Sequence, residues 1–162
     1  ERGMPLKAFY VEDYLTLRPA TIADCELVYG WANDPVTRSW SFTTEAIEWS
    51  THEKWFRESL ERRDRELYIC SRMGIPVGQL RVDTDAEKAV ISYSIAKEHR
   101  NRGYGVQMAR LGEEWIRKNM PQIKVIEAEI KVGNESSRKM LLENGYTERE
   151  EDGRILCTKQ IV

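Results

Sequence analysis

Apolar and polar residues alternate through "YLTLRPA", Tyr14 to Ala20, with the period of a strand, until Pro19 stops the run. Thr21 and Asp24 then form a capping box, and Ile22, Leu27, Val28 and Trp31 recur at helical spacing to about Ala32. Asn33, Asp34 and Pro35 mark a turn. A second capping box, Ser50 with Glu53, opens a helix from about Thr51 to Arg62, with Phe56 and Leu60 on its inner face. Three β-rich runs follow: "ELYICSR", "IPVGQLRVD" and "AVISYSIA", separated by a Met73-Gly74 turn and by "DTDAEK". Beyond them the spacing of Met108, Leu111 and Trp115 predicts a helix from about Gly105 to Asn119, ended by Met120-Pro121. "IKVIEAEIKV" reads as a long strand, and "NESSRKMLLENGY" as a helix capped by Asn134 and stopped by Asn144-Gly145. A hairpin around Asp152-Gly153 closes the chain.

The order β, α, α, β, β, β, α, β, α, β, β predicts an α/β fold with a mixed sheet. An antiparallel meander is followed by a strand–helix–strand crossover, and helices cover the sheet. At 162 residues the simplest division is one domain over 14–162, behind an N-terminal extension, linker or tag remnant at 1–13. Opening on Glu1 with Met4 just inside points either to a vector remnant or to a piece of a longer chain.

Charge narrows the partners. The 25 basic and 27 acidic residues leave a net charge of −2, so there is no bulk attraction to nucleic acid and any basic patch must be local. No apolar run approaches the ~18 residues that suggest a membrane span, and the N-terminus lacks a signal peptide's apolar core. A cytoplasmic protein is expected, and no membrane partner. Cys25, Cys70 and Cys157 are odd in number and far apart, with only His52 and His99 to assist. That pattern argues against a disulfide framework or a metal site and for buried reduced thiols.

The chemistry concentrates in "KEHRNRGYGVQMARLGEEW", Lys97 to Trp115. Arg100, Gly103 and Gly105 form R-x-x-G-x-G between a strand and a helix start. Glycines let successive N–H groups converge on one point, and the helix N-terminus adds partial positive charge. Arg100 and Arg102 add mobile full charge. Together these suit a pyrophosphate, against the plainer alternative of a solvated glycine-rich turn. The third glycine of a dinucleotide fingerprint is missing, and so is the G-K-[ST] of a Walker loop.

This motif, its place after a meander, and N-x-x-[S/A] at Asn134 and Ser137 resemble the GNAT superfamily of acyl-CoA-dependent N-acetyltransferases. The resemblance runs from "LTLRPATIAD" to "NESSRKMLLENGY". It implies acetyl-CoA as co-substrate, with its pyrophosphate on Arg100, Asn101, Arg102, Gly103, Tyr104, Gly105 and Val106. It also implies backbone pairing of the pantetheine arm at Ser94, Ile95 and Ala96, an oxyanion contact from a backbone N–H near Ile95, and Asn134 beside a pantetheine amide. Asn134 can serve as a helix cap at the same time. Many members carry a Tyr seven residues after that Asn, as proton donor to the departing thiolate. Leu141 stands there and cannot donate. Ser136, Ser137 or a water takes the part, or the weakly basic thiolate leaves unaided.

The acceptor amine must be neutral to attack, so a base or water wire is expected near it. His52 and Trp55 are three apart and share a helical face; His52 is the natural base, or else a satisfied helix-start histidine with Trp55 as core anchor. Tyr93 either relays water to the amine or packs on the sheet. Arg38, and Arg81 with Asp83, either hold a phosphorylated acceptor or are surface charges.

Three further stretches are N-D-P-x-x-R-x-x-S-F, I-x-W-x-x-H-x-x-W-F and P-V-G-Q-L-R-x-D. Together they are similar to the amino-sugar nucleotide N-acetyltransferases of pseudaminic-acid-type biosynthesis, which acetylate the 4-amine of a UDP-linked 4-amino-4,6-dideoxy sugar. That resemblance implies a nucleotide-sugar acceptor held by Asn33, Arg38, Trp40, His52, Trp55, Arg81 and Asp83. It also implies fusion behind a nucleotide-sugar hydrolase as one origin of a chain without an initiating Met. Ribosomal-protein N-terminal acetyltransferases share the stretch around "NESSRKMLLENGY", which makes a protein α-amine the alternative acceptor. Leu141 favours a third reading, a CoA-binding regulatory module without turnover.

Overall fold

The computed structural model describes residues 14–162, so the expected extension at 1–13 lies outside the described residues. Seven strands form one sheet: β1 (Leu15–Pro19), β2 (Arg65–Arg72), β3 (Ile75–Asp85), β4 (Lys88–Ile95), β5 (Val125–Lys131), β6 (Thr147–Glu151) and β7 (Arg154–Gln160). Five helices accompany them: α1 (Cys25–Ala32), α2 (Pro35–Ser39), α3 (Trp49–Glu61), α4 (Tyr104–Asn119) and α5 (Glu135–Glu143). The strand order is β1-β2-β3-β4-β5-β7-β6. Every neighbouring pair is antiparallel except β4 with β5, which the α4 crossover joins in parallel. The mixed sheet read from the element order is the sheet observed.

The hairpins follow from backbone conformation. Met73 and Gly74 have φ of 52° and 81°, and Asp152 and Gly153 have 53° and 77°. Two successive left-handed residues make the tight turn whose twist matches an antiparallel pair. Each face of the sheet buries its own cluster. Leu80, Val82 and Ile91 pack with Met108 and Ile116 of α4 on one face. Leu67 and Ile69 pack with Val28 of α1 and Phe56 of α3 on the other. Cys25, Cys70 and Cys157 are buried free thiols, and burial pushes the Cys70 thiol up to about 12.

Two local expectations change. The "NDPVTRSWSF" turn contains helix α2, whose N-cap Asp34 accepts hydrogen bonds from the amides of Val36 and Thr37, both at 3.1 Å. Helix α3 begins at Trp49 with Glu48 as N-cap and no side-chain capping bond, so the Ser50–Glu53 box is not used. The Thr21–Asp24 box does form, on a single 3-10 turn ahead of α1, and Arg18 clamps Asp24 at 2.8 and 2.9 Å. Among the described residues no helix is long and apolar enough to cross a membrane.

Strands β4 and β5 pair over only three positions, Lys88–Val90 against Val125–Glu127. Beyond them β4 continues along β3 as far as Ile95, while β5 continues along β7 as far as Lys131. Each arm is held by its outer neighbour, so the sheet opens as a V. Gly78 lets β3 and β4 close up on one side of it, since a Cβ there would collide with the Ser94 carbonyl.

Candidate active site

A cavity of about 550 Å³ occupies the V. Its strand walls include Ile91, Tyr93 and Ser94 of β4 and Ala128 and Ile130 of β5, with Asn134 and Ser137 at the start of α5. The Ala96 amide donates to Val77 O at 2.8 Å, on the β3 side. Alternation along a strand therefore turns the N–H and C=O of Ser94 toward β3 as well, and those of Tyr93 and Ile95 toward the open side. Ser94 and Ala96, expected to pair a ligand through their backbone, turn those groups to β3. Ser94 instead lines the cavity with its side chain, which receives a hydrogen bond from Gln79 Nε2 at 3.4 Å.

At the end of β4 the chain turns through Asn101 and Gly103, with φ of 64° and 77°. Gly103 is the left-handed N-cap of α4, a conformation that L side chains disfavour. The amides of Tyr104, Gly105 and Val106 have no carbonyl a turn behind them in the helix, and the first such bond is Gln107 N–H to Gly103 O at 3.4 Å. These convergent donors at a helix N-terminus fit an anion. The other residues of the motif have different work. Gly105 is needed for packing, since a Cβ would sit 2.6 Å from Met140 Sδ of α5. The Tyr104 ring is buried in the core, which leaves its amide for a ligand, and the Val106 carbonyl accepts from Asn144 Nδ2 at 3.3 Å. Arg100 is not the mobile charge expected. Its Nε donates to Ile95 O at 3.1 Å, and its Nη2 donates to Asp34 Oδ2 at 2.8 Å and Thr37 Oγ1 at 3.1 Å. Arg102 is exposed and keeps that part.

Asn134 caps α5 by accepting the Ser137 amide at 3.3 Å while bordering the cavity, so cap and cavity wall coincide. Leu141 is fully buried in the main core. The Tyr93 hydroxyl is buried and makes no hydrogen bond of standard geometry; burial pushes its pKa well up, and Ser137 alone among its neighbours draws it back.

The acceptor end lies under α1, α2 and α3, with Gln79, Arg81, Ser92 and Ser94 of the sheet as its floor. His52 borders it and is 3 % exposed, packed among Tyr29, Trp49, Trp55 and Phe56. Its Nε2 lies 3.0 Å from Cys25 O. A carbonyl only accepts, so Nε2 carries the proton and Nδ1 the lone pair. Burial lowers the imidazole pKa, partly offset by that hydrogen bond, and keeps the ring neutral at physiological pH. Trp55 stands beside the Arg65 and Arg81 guanidiniums, 5.6 and 6.0 Å from its ring centre. Burial draws the Arg81 pKa down and Asp83, 3.3 Å from Nε, supports its charge.

Three residues expected at the acceptor have partners within the fold. Asn33 exchanges two hydrogen bonds with the Ile47 backbone, at 2.9 and 2.7 Å, and does not border the cavity. Asp83 is gripped by Arg65 at 2.7 and 3.4 Å, also away from it. Arg38 borders the cavity but its guanidinium is occupied by Ala32 O, Thr43 O, Glu45 O and Ser41 Oγ, at 2.8 to 3.2 Å, which folds the 40–47 loop. It brings a full positive charge with no carboxylate on it. Trp40 is half-exposed at the cavity mouth. The sequence reading missed Gln79, Ser92, Phe42 and Glu129 in the lining, and missed Asp34; the "NDP" triplet was the only signal for the last. Among the described residues no cluster of His, Cys, Asp and Glu gathers that could hold a metal.

A sheet opened into a V, with a turn of free amides at one arm's tip, is the frame of an acyl-CoA transferase. The chain belongs to the family described as Acetyltransferase (GNAT) domain, which matches residues 14–147, and it is an N-acetyltransferase that uses acetyl-CoA. No curated protein matches the chain by sequence. Among solved structures, the aminoglycoside acetyltransferase AAC(6')-Ib in complex with ribostamycin and coenzyme A superposes with a TM-score of 0.82 at 19% identity, over 92% of this chain and 94% of that one. Spermidine N-acetyltransferase from Vibrio cholerae, with CoA and spermine, gives 0.78 at 15% over 90% and 94%. The ribosomal L7/L12 α-N-protein acetyltransferase RimL, with coenzyme A, gives 0.78 at 15% over 93% and 96%.

Proposed function

We propose that this chain transfers the acetyl group of acetyl-CoA by direct attack of a primary amine, and that the amine belongs to a UDP-linked 4-amino-4,6-dideoxy sugar. The charge of the acceptor end carries this reading. Arg38 and Arg81 border it, and Glu129, the one acidic residue in its lining among the described residues, is paired with Arg154 at 3.1 Å. A polyamine or aminoglycoside would bring several positive charges into that field, whereas a nucleotide diphosphate brings two negative ones. Trp55 and Trp40 supply flat apolar surface for a ring.

The donor end fits acetyl-CoA. The amides of Tyr104, Gly105 and Val106 with Arg102 suit its pyrophosphate, and the open backbone of Tyr93 with the Ile95 N–H and Asn134 suits the pantetheine arm. When bound, it supplies an acetyl thioester. His52, neutral with its lone pair on Nδ1, takes the proton from the attacking amine, directly or through one water. The free Ile95 N–H is aimed into the V, where negative charge develops on the carbonyl oxygen. The Ser137 hydroxyl stands at the cavity wall to protonate the departing thiolate. A cysteine route is not used, because the three thiols are buried and the acidity of each is depressed.

The test is release of free thiol from acetyl-CoA, against a UDP-4-amino-4,6-dideoxy sugar, spermidine and an N-terminal peptide. Thiol release with the sugar nucleotide alone is expected. Release with the peptide alone replaces the acceptor and keeps the reaction. Tight CoA binding with no release from any amine leaves a binding module.

A further inference from the structure

Helix α2 touches both arms of the V. On the β4 side, Arg100 Nη2 holds Asp34 Oδ2 at 2.8 Å and Thr37 Oγ1 at 3.1 Å, while its Nε holds the Ile95 carbonyl. On the β5 side, Lys131 Nζ donates to Ser39 O at 3.3 Å, and Trp40 lies against Gly133, whose Cβ would sit 3.7 Å from the indole. Between these anchors the helix presents Thr37, Arg38 and Trp40 to the acceptor end of the cavity. It is a strap across two strands that have no hydrogen bonds between them there.

The strap has one charged clasp. Asp34 and Arg100 are largely shielded, with side chains 11% and 25% exposed. Burial alone would raise the Asp34 pKa, but Arg100 and the α2 amides outweigh it and hold the carboxyl ionised. The same Asp34 oxygen caps α2 through the Val36 and Thr37 amides. Arg100 itself opens the R-x-x-G-x-G turn whose amides face the donor. One carboxylate oxygen therefore ties the turn that holds CoA to the segment that forms the acceptor wall.

We propose that Asp34 is a positioning residue that couples the two ends of the site: ordering of the donor turn by CoA is passed through Arg100 and Asp34 to α2 and Trp40. The coupling is reciprocal, so an ordered acceptor wall also strengthens CoA binding. It rests on the CoA-binding part of the proposed function and not on the identity of the acceptor. Asp34→Asn keeps the cap, because its amide oxygen still accepts from α2, but removes the charge pair. Capping and coupling are thereby separable.

The probe is coenzyme A alone, titrated while tryptophan fluorescence is followed, with Trp40→Phe identifying the Trp40 component. In the native chain CoA changes the Trp40 signal. In Asp34→Asn that response disappears and the CoA Kd rises about fivefold or more, the lower end of ordinary coupling energies, with thermal denaturation little changed. Arg100→Gln does the same, and the double variant is no worse than either single one. A Trp40 response that survives in Asp34→Asn, a native chain whose Trp40 ignores CoA, or additive losses in the double variant would each overturn the coupling. Failure of the native chain to bind CoA at all would instead remove the proposed function beneath it.

Discussion

The donor turn and the acceptor end of the cavity, as proposed, offer different means of recognition. The donor turn offers backbone: the amides of Tyr104, Gly105 and Val106, with the strand groups of Tyr93 and the Ile95 N–H that the parted sheet leaves without a strand partner. The acceptor end offers side chains, and most of them already hold something else, as Arg38 holds four oxygens and His52 holds Cys25. A backbone site takes its donors from the fold itself and suits a ligand that does not change. A side-chain site can be altered one residue at a time without touching the sheet, which suits a family sharing one donor among many amines.

If that division holds, variants at the acceptor end, apart from those that break the Asp34–Arg100 link, change turnover or acceptor affinity and spare CoA, while those at the donor turn do the reverse. The largest effect is expected at His52. His52→Gln keeps an N–H donor for the Cys25 carbonyl and removes the base, so kcat should fall by about 10²-fold or more with the CoA Kd unchanged. Unchanged turnover would return His52 to a purely structural role in its aromatic cluster. The native enzyme adds a pH signature. Burial lowers the His52 pKa, so the acid limb of kcat/KM should lie below the ordinary histidine value of about 6.5. Stability moves with it in a defined direction. Below about 6.5 the unfolded chain takes up a proton that the buried ring refuses, so stability falls with pH until the folded pKa is reached. His52→Gln should flatten that part of a plot of Tm against pH.

Next in size is Gly103→Val. A β-branched residue at φ of +77° costs about 1–3 kcal/mol in place or moves the turn. A moved turn no longer converges its amides, so CoA affinity measured by calorimetry should drop at least about tenfold. Normal affinity would show that the turn does not cradle the pyrophosphate. Arg81→Gln follows on the other side of the division. It removes a cation from the cavity floor beside Trp55, and a charged hydrogen bond contributes about 1.5–3 kcal/mol. The KM for the UDP-amino-sugar should rise about tenfold while the CoA Kd stays put. A rise in the CoA Kd instead would place the arginine's partner on the donor.

The same division explains what could be read in advance. The donor turn was legible because glycine is a backbone statement: Gly103 sits where φ is positive, and a helix N-terminus follows from hydrophobic spacing. Even there the chemistry was only partly legible. Gly105 turned out to serve Met140, and Arg100 serves Asp34, because neither partner is near in sequence. The order of strands and helices was legible for a similar reason, since period and turn residues are local. Helix α2 was not predicted because five residues beginning with a proline carry no period. At the acceptor end, Asn33, Arg38 and Asp83 were placed among the substrate contacts by residue type and by the resemblance of their stretches. A polar side chain reports that it needs a partner, not whether the partner is a ligand, the Ile47 backbone or Arg65.

The smallest effect, at Arg102, tests whether backbone or charge leads at the donor end. Arg102 is exposed at the tip of the turn and, unlike Arg100, has no partner among the described residues. An exposed charge facing a phosphate acts through water and is screened over about 10 Å at 0.1 M salt. Arg102→Gln should therefore weaken CoA binding only about two- to threefold at low salt, and the loss should shrink toward nothing near 1 M. The amides of the turn are short-range donors, so the Gly103→Val loss should persist unchanged at the same salt. A salt titration of CoA affinity in the two variants separates the contributions. If Arg102→Gln costs more than Gly103→Val, mobile charge and not fixed amides holds the pyrophosphate. The donor end would then be a side-chain site like its neighbour.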